Sequence, residues 1–363
     1  MTPPDPRWGQ SLYRGAAGIA LAQLHTDPQK LTKSAAAMLR GPLGAGGLYE
    51  GAPSVAYTLL HADTPAARRA LTQLAPHVRD MTRARLELAH RRIDAGVPPV
   101  KDEFDVITGL TGLGVYHLAA GDRDEATAIA AYLVRLTEPL THSGVTVPGW
   151  WSTTPAMNQA TPEDADGNGI FGMAHGIAGP LAYLALCTLR GITTEGHDTA
   201  IARICGHLAE WRLGTGQDAH WPYWVTLAEH ARGVPHAGTG PARPSWCYGT
   251  PGIARALHLA GRAMNDTRLQ HQAEQALTGC TRHTHLFTDL SLCHGWAGLL
   301  QAVRRTAADS AGSSLQTVLL HLEDKLATPS GDNDPSLMEG AAGIDLVRAN
   351  PPTDWDLCLL LPS

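Results

Sequence analysis

Three short segments carry the residue types richest in chemistry. Cys247 stands in SWCYGTPG, Cys293 and His294 in LCHGWAG, and His175 in GMAHGIAG. Two thiolates and one imidazole make a good zinc set, with a fourth position left for water or substrate. A Cys-His dipeptide alone is a weak signal, and a buried thiol beside a capping histidine accounts for it as well. The position of the other cysteine reverses that preference. Cys247 precedes Gly249 by two residues, as Cys293 precedes Gly295. The remaining cysteines, Cys187, Cys205, Cys280 and Cys358, lie in apolar helical or tail segments and read as small hydrophobes. His25, His61, His77, His90 and His283 read as surface residues, and His283 with His285 falls outside the register that aligns the two ligand segments.

That register belongs to a repeat. A Gly-x-x-Gly element recurs at Gly15/Gly18, Gly109/Gly112, Gly176/Gly179, Gly249/Gly252, Gly295/Gly298 and Gly340/Gly343, with a seventh, degenerate copy at Gly51 where Ser54 replaces the second glycine. The first glycines are 36, 58, 67, 73, 46 and 45 residues apart, and each copy leads into an apolar run such as GIAGPLAYLALCTL. Small residues at i and i+3 share a helix face and permit close approach of a neighbour. Between copies the pattern is amphipathic: Ile201, Ile204, Cys205, Leu208 and Trp211 follow helical spacing after Asp198, a plausible N-cap, as do Ile129, Leu133 and Leu136. Leu71, Leu74 and Val78 begin another such helix. Seven apolar helices alternating with seven amphipathic ones predict an inner and an outer ring without a substantial sheet; an open helical array is the alternative. If the inner helices run the same way, His175, Cys247, Cys293 and His294 gather at one end of the ring. Two stretches without helical period, 142–168 and 213–245, carry Trp150, Trp151, Trp221, Tyr223 and Trp224, and an acidic patch at Glu163, Asp164 and Asp166. Loops of this length are commonly functional, and their tryptophans favour ordered loops that could form the rim of a site.

Composition narrows the class. The 363 residues are 44% apolar and 17% charged, which argues for a folded chain, and their 38 glycines exceed the usual level of roughly 7%. A net charge of −6 offers no footprint for nucleic acid. The first residues, MTPPDPRWGQSLYRG, lack the layout of a signal peptide, and the longest apolar stretch is too short to span a bilayer, so a cytoplasmic protein is expected. There, six cysteines serve as free thiols or ligands more readily than as disulfides.

Taken together, SWCYGTPG, LCHGWAG, GMAHGIAG and the later LMEGAAGIDL resemble the lanthionine synthetase C-like (LanC) cyclases, from GAAG at Gly15 to WDLCLLL near the end. The resemblance implies an all-α fold, an α/α toroid or double-layer barrel of about seven helical hairpins, formed by a single domain over 1–363. It implies Zn2+ on Cys247, Cys293 and His294, with His175 as general acid/base and Asp105, in DVITGLTG, as its acidic neighbour. Arg243 and Tyr248 match further active-site positions. Ordinary roles stay open beside these: Asp105 as the cap of the helix after Gly109, Arg243 as a loop cation, Tyr248 as packing.

The implied reaction is Michael addition of a peptide cysteine thiol to dehydroalanine or dehydrobutyrine, closing a (methyl)lanthionine thioether ring. A free thiol has a pKa of about 8.5 and is scarcely ionised at neutral pH, which metal coordination corrects. The enolate left after addition needs a proton at its α-carbon, for which His175 is the best-placed donor, while Arg243 stabilises its oxygen. The implied ligand is a dehydrated precursor peptide with its leader, and the implied partners are a separate dehydratase and an exporter in a membrane-bound biosynthetic complex. Two rivals are a LanC-like enzyme that adds glutathione or another small thiol to dehydroamino acids, and a zinc-containing peptide-binding scaffold without turnover. A toroidal glycosidase requires a carboxylate pair, which Asp105 alone does not supply.

Overall fold

Every glycine pair sits at the start of a helix. The computed structural model describes residues 8–39, 44, 46–156, 165–236, 238–310, 315–327 and 334–362. In chain order its helices are α1 (Ala16–Thr26), α2 (Leu31–Met38), α3 (Gly51–Leu60), α4 (Pro65–Asp94), α5 (Lys101–Phe104), α6 (Leu110–Ala120), α7 (Arg123–Leu136), α8 (Ala178–Leu189), α9 (His197–Glu210), α10 (Leu227–Arg232), α11 (Thr250–Ala263), α12 (Thr267–Cys280), α13 (Trp296–Asp309), α14 (Leu315–Ala327) and α15 (Ala341–Ala349). Among the described residues, the strands β1 (Leu140–His142), β2 (Val145–Val147), β3 (Asn168–Ile170) and β4 (Trp224–Thr226) form two small antiparallel pairs, β1 with β2 and β3 with β4. No described helix is long and apolar enough to cross a membrane.

Helices α1, α3, α6, α8, α11, α13 and α15 pack on one another in that order, and α15 returns to α1. This closes the inner ring of an α/α toroid. The most enclosed of them are apolar all round: every residue of α6 from Leu110 to Leu118 is buried. Outside them, α2, α4, α7, α9, α12 and α14 each pack on the inner helix that precedes them. These present one apolar stripe, as Ala200, Ile201, Ile204 and Leu208 do on α9. The cap of α9 is Gly196, in the left-handed region, and the expected Asp198 lies in the first turn instead.

The glycines act at helix starts, where they meet the neighbouring repeat, and not along a helix–helix crossing. Gly109, Gly249, Gly295 and Gly340 are N-caps with extended backbone. The second glycine of a pair accepts a side chain from the neighbouring repeat. A Cβ on Gly252 would stand 2.8 Å from Cβ of Met173, and one on Gly18 would stand 2.7 Å from Cβ of Leu337, across the ring closure. Ser54, at the degenerate position, is fully buried and its hydroxyl has no hydrogen-bond partner.

A circuit of backbone hydrogen bonds runs around the same end of the ring. Leu12 N–H donates to Tyr49 O (2.9 Å), Tyr49 to Ile107 (3.2 Å), Val106 to Ala174 (3.0 Å), Ala174 to Cys247 (3.0 Å), Cys247 to Cys293 (3.2 Å), Cys293 to Met338 (2.9 Å) and Met338 to Tyr13 (3.1 Å). The residues just before each first glycine are thereby stitched side by side around one mouth.

Three expectations need correction. The inner ring has seven helices, but six outer helices are described, because after α15 the chain turns inward. Residues Trp355–Leu359 form a 3-10 turn, and Trp355, Leu357, Cys358, Leu359, Leu360 and Leu361 are buried among the inner helices. Tyr57 Oη donates to Trp355 O (3.0 Å), Tyr49 Oη to Cys358 O (2.9 Å), Trp246 Nε1 to Leu359 O (2.9 Å) and Arg255 Nη2 to Leu361 O (3.0 Å). The tail satisfies its own backbone with side chains from the ring, as a buried irregular segment must. Second, Trp150, Trp151 and Trp221 are core residues, not a rim: each is at most 4% exposed, held by the packing of the two long loops. Of the expected acidic patch, Glu163 and Asp164 lie outside the described residues, and Asp166 accepts a hydrogen bond from Ser143 Oγ (3.1 Å). Third, His61 is half-buried and pairs with His25 (3.3 Å), and His117, His197, His207 and His258 are buried.

Candidate functional site

The segment before each first glycine folds as a tight turn that the next helix needs as a cap. Gly249 N–H donates to Ser245 O (3.1 Å) and to Ser245 Oγ (3.0 Å), and Gly295 N–H to Ser291 O (3.1 Å), while His294 N–H reaches Ser291 Oγ (3.2 Å). These turns fix the two residues preceding each glycine. Since Cys247 and Cys293 occupy the same place in consecutive turns, the Cys247 N–H to Cys293 O bond sets their side chains together. One ligand atom each from Cys247, Cys293 and His294 all lie within 4.8 Å of one another.

Both cysteines are buried and His294 is half-buried. The hydrogen bond from Cys293 holds the Cys247 thiol below its ordinary range, and the same contact together with burial pushes Cys293 well above it. The physical content is one proton shared by two sulfurs: the first charge is stabilised, the second opposed. Asp289 Oδ2 stands 3.3 Å from His294 Nε2 and raises the imidazole's proton affinity, so Nδ1 is left as the ligand atom. Two soft sulfurs and an oriented imidazole fit zinc at about 2.3 and 2.0 Å, a tetrahedron whose edges are roughly 3.5–4 Å.

Beside this group stands a carboxylate–imidazole pair. Asp105 Oδ2 is 2.6 Å from His175 Nδ1. Asp105 Oδ1 accepts from Gly109 N–H (2.7 Å), Thr108 N–H (2.8 Å) and Thr108 Oγ1 (3.2 Å). The carboxylate is fully buried, whereas the His175 side chain is 25% exposed. Asp105 therefore does both things its position allows. One oxygen holds the turn that leads into α6, and the other fixes the imidazole, leaving Nε2 for a ligand.

Tyr248 follows Cys247, and its ring centroid is 5.9 Å from that of His175. Its hydroxyl donates to Ala156 O (2.9 Å), and burial with the nearby Cys247 raises its pKa, so it stays protonated. Arg243 accepts a hydrogen bond at its backbone carbonyl from Tyr223 Oη (3.0 Å). Its guanidinium is near enough to lower the proton affinity of His294 and of Tyr223.

The family described as "Lanthionine synthetase C-like protein" matches residues 6–360, nearly the whole chain. The protein belongs to the lanthionine synthetase C-like family. Among known relatives, the nisin biosynthesis protein NisC of Lactococcus lactis subsp. lactis is 24% identical over 312 residues, covering 83% of this chain and 73% of NisC. Among solved structures, nisin cyclase superposes with a TM-score of 0.83 at 22% identity, covering 98% of this chain and 93% of that one, which supports the toroidal fold.

In this LanC-like chain the residues singled out by sequence converge on one mouth: Cys247, Cys293 and His294 form one group, Asp105 and His175 a second, and Tyr248 lies between them. Arg243 approaches through its charge. Cys187, Cys280 and Cys358 are buried and Cys205 is half-buried; burial pushes Cys187 and Cys205 up to about 12, as expected of packing thiols. His283 and His285 lie near each other, but neither belongs to a metal-ligating group among the described residues.

Sequence reasoning missed four contributors. Asp289 carried a faint signal, being five residues before His294 in the same turn segment. Asp102, on α5, shares the Asp105–His175 group and is exposed. Tyr13 and Glu339 occupy the same pre-glycine positions as the ligands, and the repeat register alone was enough to find them. A carboxylate pair thus exists, but Asp105 is fully buried and its oxygens are engaged, which does not suit glycoside chemistry.

Proposed function

We propose that this protein is a zinc-dependent lanthipeptide cyclase, adding peptide cysteine thiols to dehydroalanine or dehydrobutyrine to form thioether rings. One observation carries the reading: the Cys247–Cys293–His294 donors and the oriented Asp105–His175 pair occupy adjacent turns, joined by the Ala174 N–H to Cys247 O bond of 3.0 Å. A donor set without an acid/base group suits a scaffold; an acid/base pair without donors has no nucleophile to serve.

Cys247, Cys293 and His294 would hold the metal, which when bound supplies a coordination position where a substrate thiol ionises at neutral pH. Asp105 accepts the Nδ1 proton of His175 and so directs Nε2 toward substrate. That nitrogen takes the proton the thiol releases and returns it to the α-carbon after carbon–sulfur bond formation. The positive charge of Arg243 favours the oxygen of the developing enolate. Tyr248, protonated and anchored on Ala156, forms the wall beside His175 and limits water there. The substrate in this reading is a leader-bearing peptide dehydrated by a separate enzyme, with cyclisation taking place in the cytoplasm beside a membrane-bound dehydratase and exporter.

Zinc-loaded protein mixed with a dehydrated precursor should consume free thiols faster than the uncatalysed reaction, with product mass unchanged. Thiol loss at the uncatalysed rate, with the peptide shown to bind, would leave the scaffold reading standing. Addition of glutathione in preference to the peptide's own cysteines would favour the small-thiol enzyme.

A further inference from the structure

Tyr13 precedes Gly15 by two residues, the register position that Cys247 and Cys293 hold in their own repeats. Ring closure places it next to the ligand group. Met338 N–H donates to Tyr13 O (3.1 Å) and Cys293 N–H donates to Met338 O (2.9 Å), so the last repeat bridges the first to the sixth. The Tyr13 hydroxyl lies 3.6 Å from Cys293 Sγ and 2.9 Å from Glu339 Oε1. Glu339 is in turn held at Oε2 by Arg14, at 2.8 Å from Nε and 2.5 Å from Nη2. The proposed mechanism uses none of these three residues.

A phenol has one proton to donate, and here two acceptors face it. Arg14 draws charge from the Glu339 carboxylate and so weakens it as a competitor for that proton. Tyr13 also lines a cavity of about 450 Å³ with Trp8, Tyr49, Glu50 and Thr108, and Thr108 is tied to Asp105 Oδ1. Tyr13 thus borders both the ligand sulfur and this cavity.

We propose that Tyr13 is a positioning residue for the metal centre: it donates a hydrogen bond to the Cys293 thiolate, and Glu339 with Arg14 sets how much of that bond the sulfur receives. The proposal rests on Cys293 being a metal ligand. A donated hydrogen bond withdraws charge from the sulfur. Cys293 then gives less charge to the metal, and a thiol entering the open position is more easily ionised. Removing the donor has the opposite effect.

Cobalt(II) loading reads this directly, through the thiolate-to-cobalt absorption band and without turnover. Tyr13→Phe should move the band to longer wavelength, because the sulfur regains the charge that the hydrogen bond withdrew. Glu339→Gln weakens the competing acceptor, returns the proton to sulfur, and should move the band to shorter wavelength. Opposite shifts are not expected from two residues that merely pack. Unchanged bands, or shifts in the same direction, at full cobalt occupancy would overturn the proposal while leaving Cys293 as a ligand. A wild-type protein that binds cobalt without a thiolate band would overturn the ligand assignment, and the proposal with it.

Discussion

The double role of Asp105 separates catalysis from folding in a single side chain. In Asp105→Asn the amide oxygen can still accept from Gly109 and Thr108 N–H, so the turn that leads into α6 survives. The amide nitrogen then faces His175 Nδ1 and reverses the imidazole tautomer, placing the proton on Nε2 before the thiol arrives. The substitution removes a 2.6 Å charge-assisted hydrogen bond, worth about 1.5–3 kcal/mol. At about 1.4 kcal/mol per factor of ten, the rate should fall roughly 10–150-fold, with little change in stability. Asp105→Ala should lose rate similarly and also leave the buried Gly109 N–H unpaired, costing about 1–3 kcal/mol. The assay is thiol consumption by zinc-loaded protein on a dehydrated precursor, alongside urea unfolding. Because Asp105 acts through His175, the Asp105→Asn, His175→Ala double variant should be no slower than His175→Ala alone. A wild-type rate in Asp105→Asn, or a double variant slowed by the product of the two single effects, would refute the reasoning and leave Asp105 only the turn before α6 to hold.

Other outcomes follow from the same geometry. Cys247→Ala should fail to retain stoichiometric zinc, and Asp289→Asn should bind it about 10–100-fold more weakly through loss of the His294 orientation, both measured by competition with a chromophoric chelator. Burial holds His61 and His117 down to about 4 and His207 and His258 down to about 3. Since the unfolded chain takes up these protons near pH 6.5 and the folded chain does not, stability should be full above that value. It should fall toward pH 4 by about 1.4 kcal/mol per pH unit per histidine, and urea midpoints that stay flat between pH 7 and 5 would contradict this. Truncation before Trp355 removes at least five large apolar side chains from the bore, each worth about 1.5–3 kcal/mol, a loss comparable to the roughly 5–15 kcal/mol stability of a typical protein. Such a variant should lack a cooperative thermal transition by circular dichroism.

Much of this protein is legible in local sequence, because the repeat unit is local. A glycine at a helix start, a partner three residues on, and two side chains just before them are all set within one turn. The positions of Cys247, Cys293, His294, His175 and Asp105 could therefore be read before any folding. The amphipathic period also identified the outer helices, since a stripe on α9 needs only one neighbour to bury it. The loop tryptophans lie in the core and not at a rim because aromatic residues in a long aperiodic stretch do not by themselves distinguish the two. Their burial depends on how β1–β4 fold the loops back over α9, and that is not encoded at short range.

By itself, then, the sequence determined the register: which residues precede each glycine, and that successive turns are equivalent. Only the closed ring decided which registers meet. Tyr13 reaches Glu339 across 326 residues and Cys293 across 280, an approach that exists because α15 packs on α1. The inward turn of the tail is likewise invisible locally, since WDLCLLL reads equally well as the start of a seventh outer helix. Its choice of the bore follows from the hydrogen bonds that Tyr49, Tyr57, Trp246 and Arg255 donate to its carbonyls, from repeats far apart in the chain. Periodicity is a property of neighbours in sequence; the closure of a ring and the filling of its centre are properties of neighbours in space.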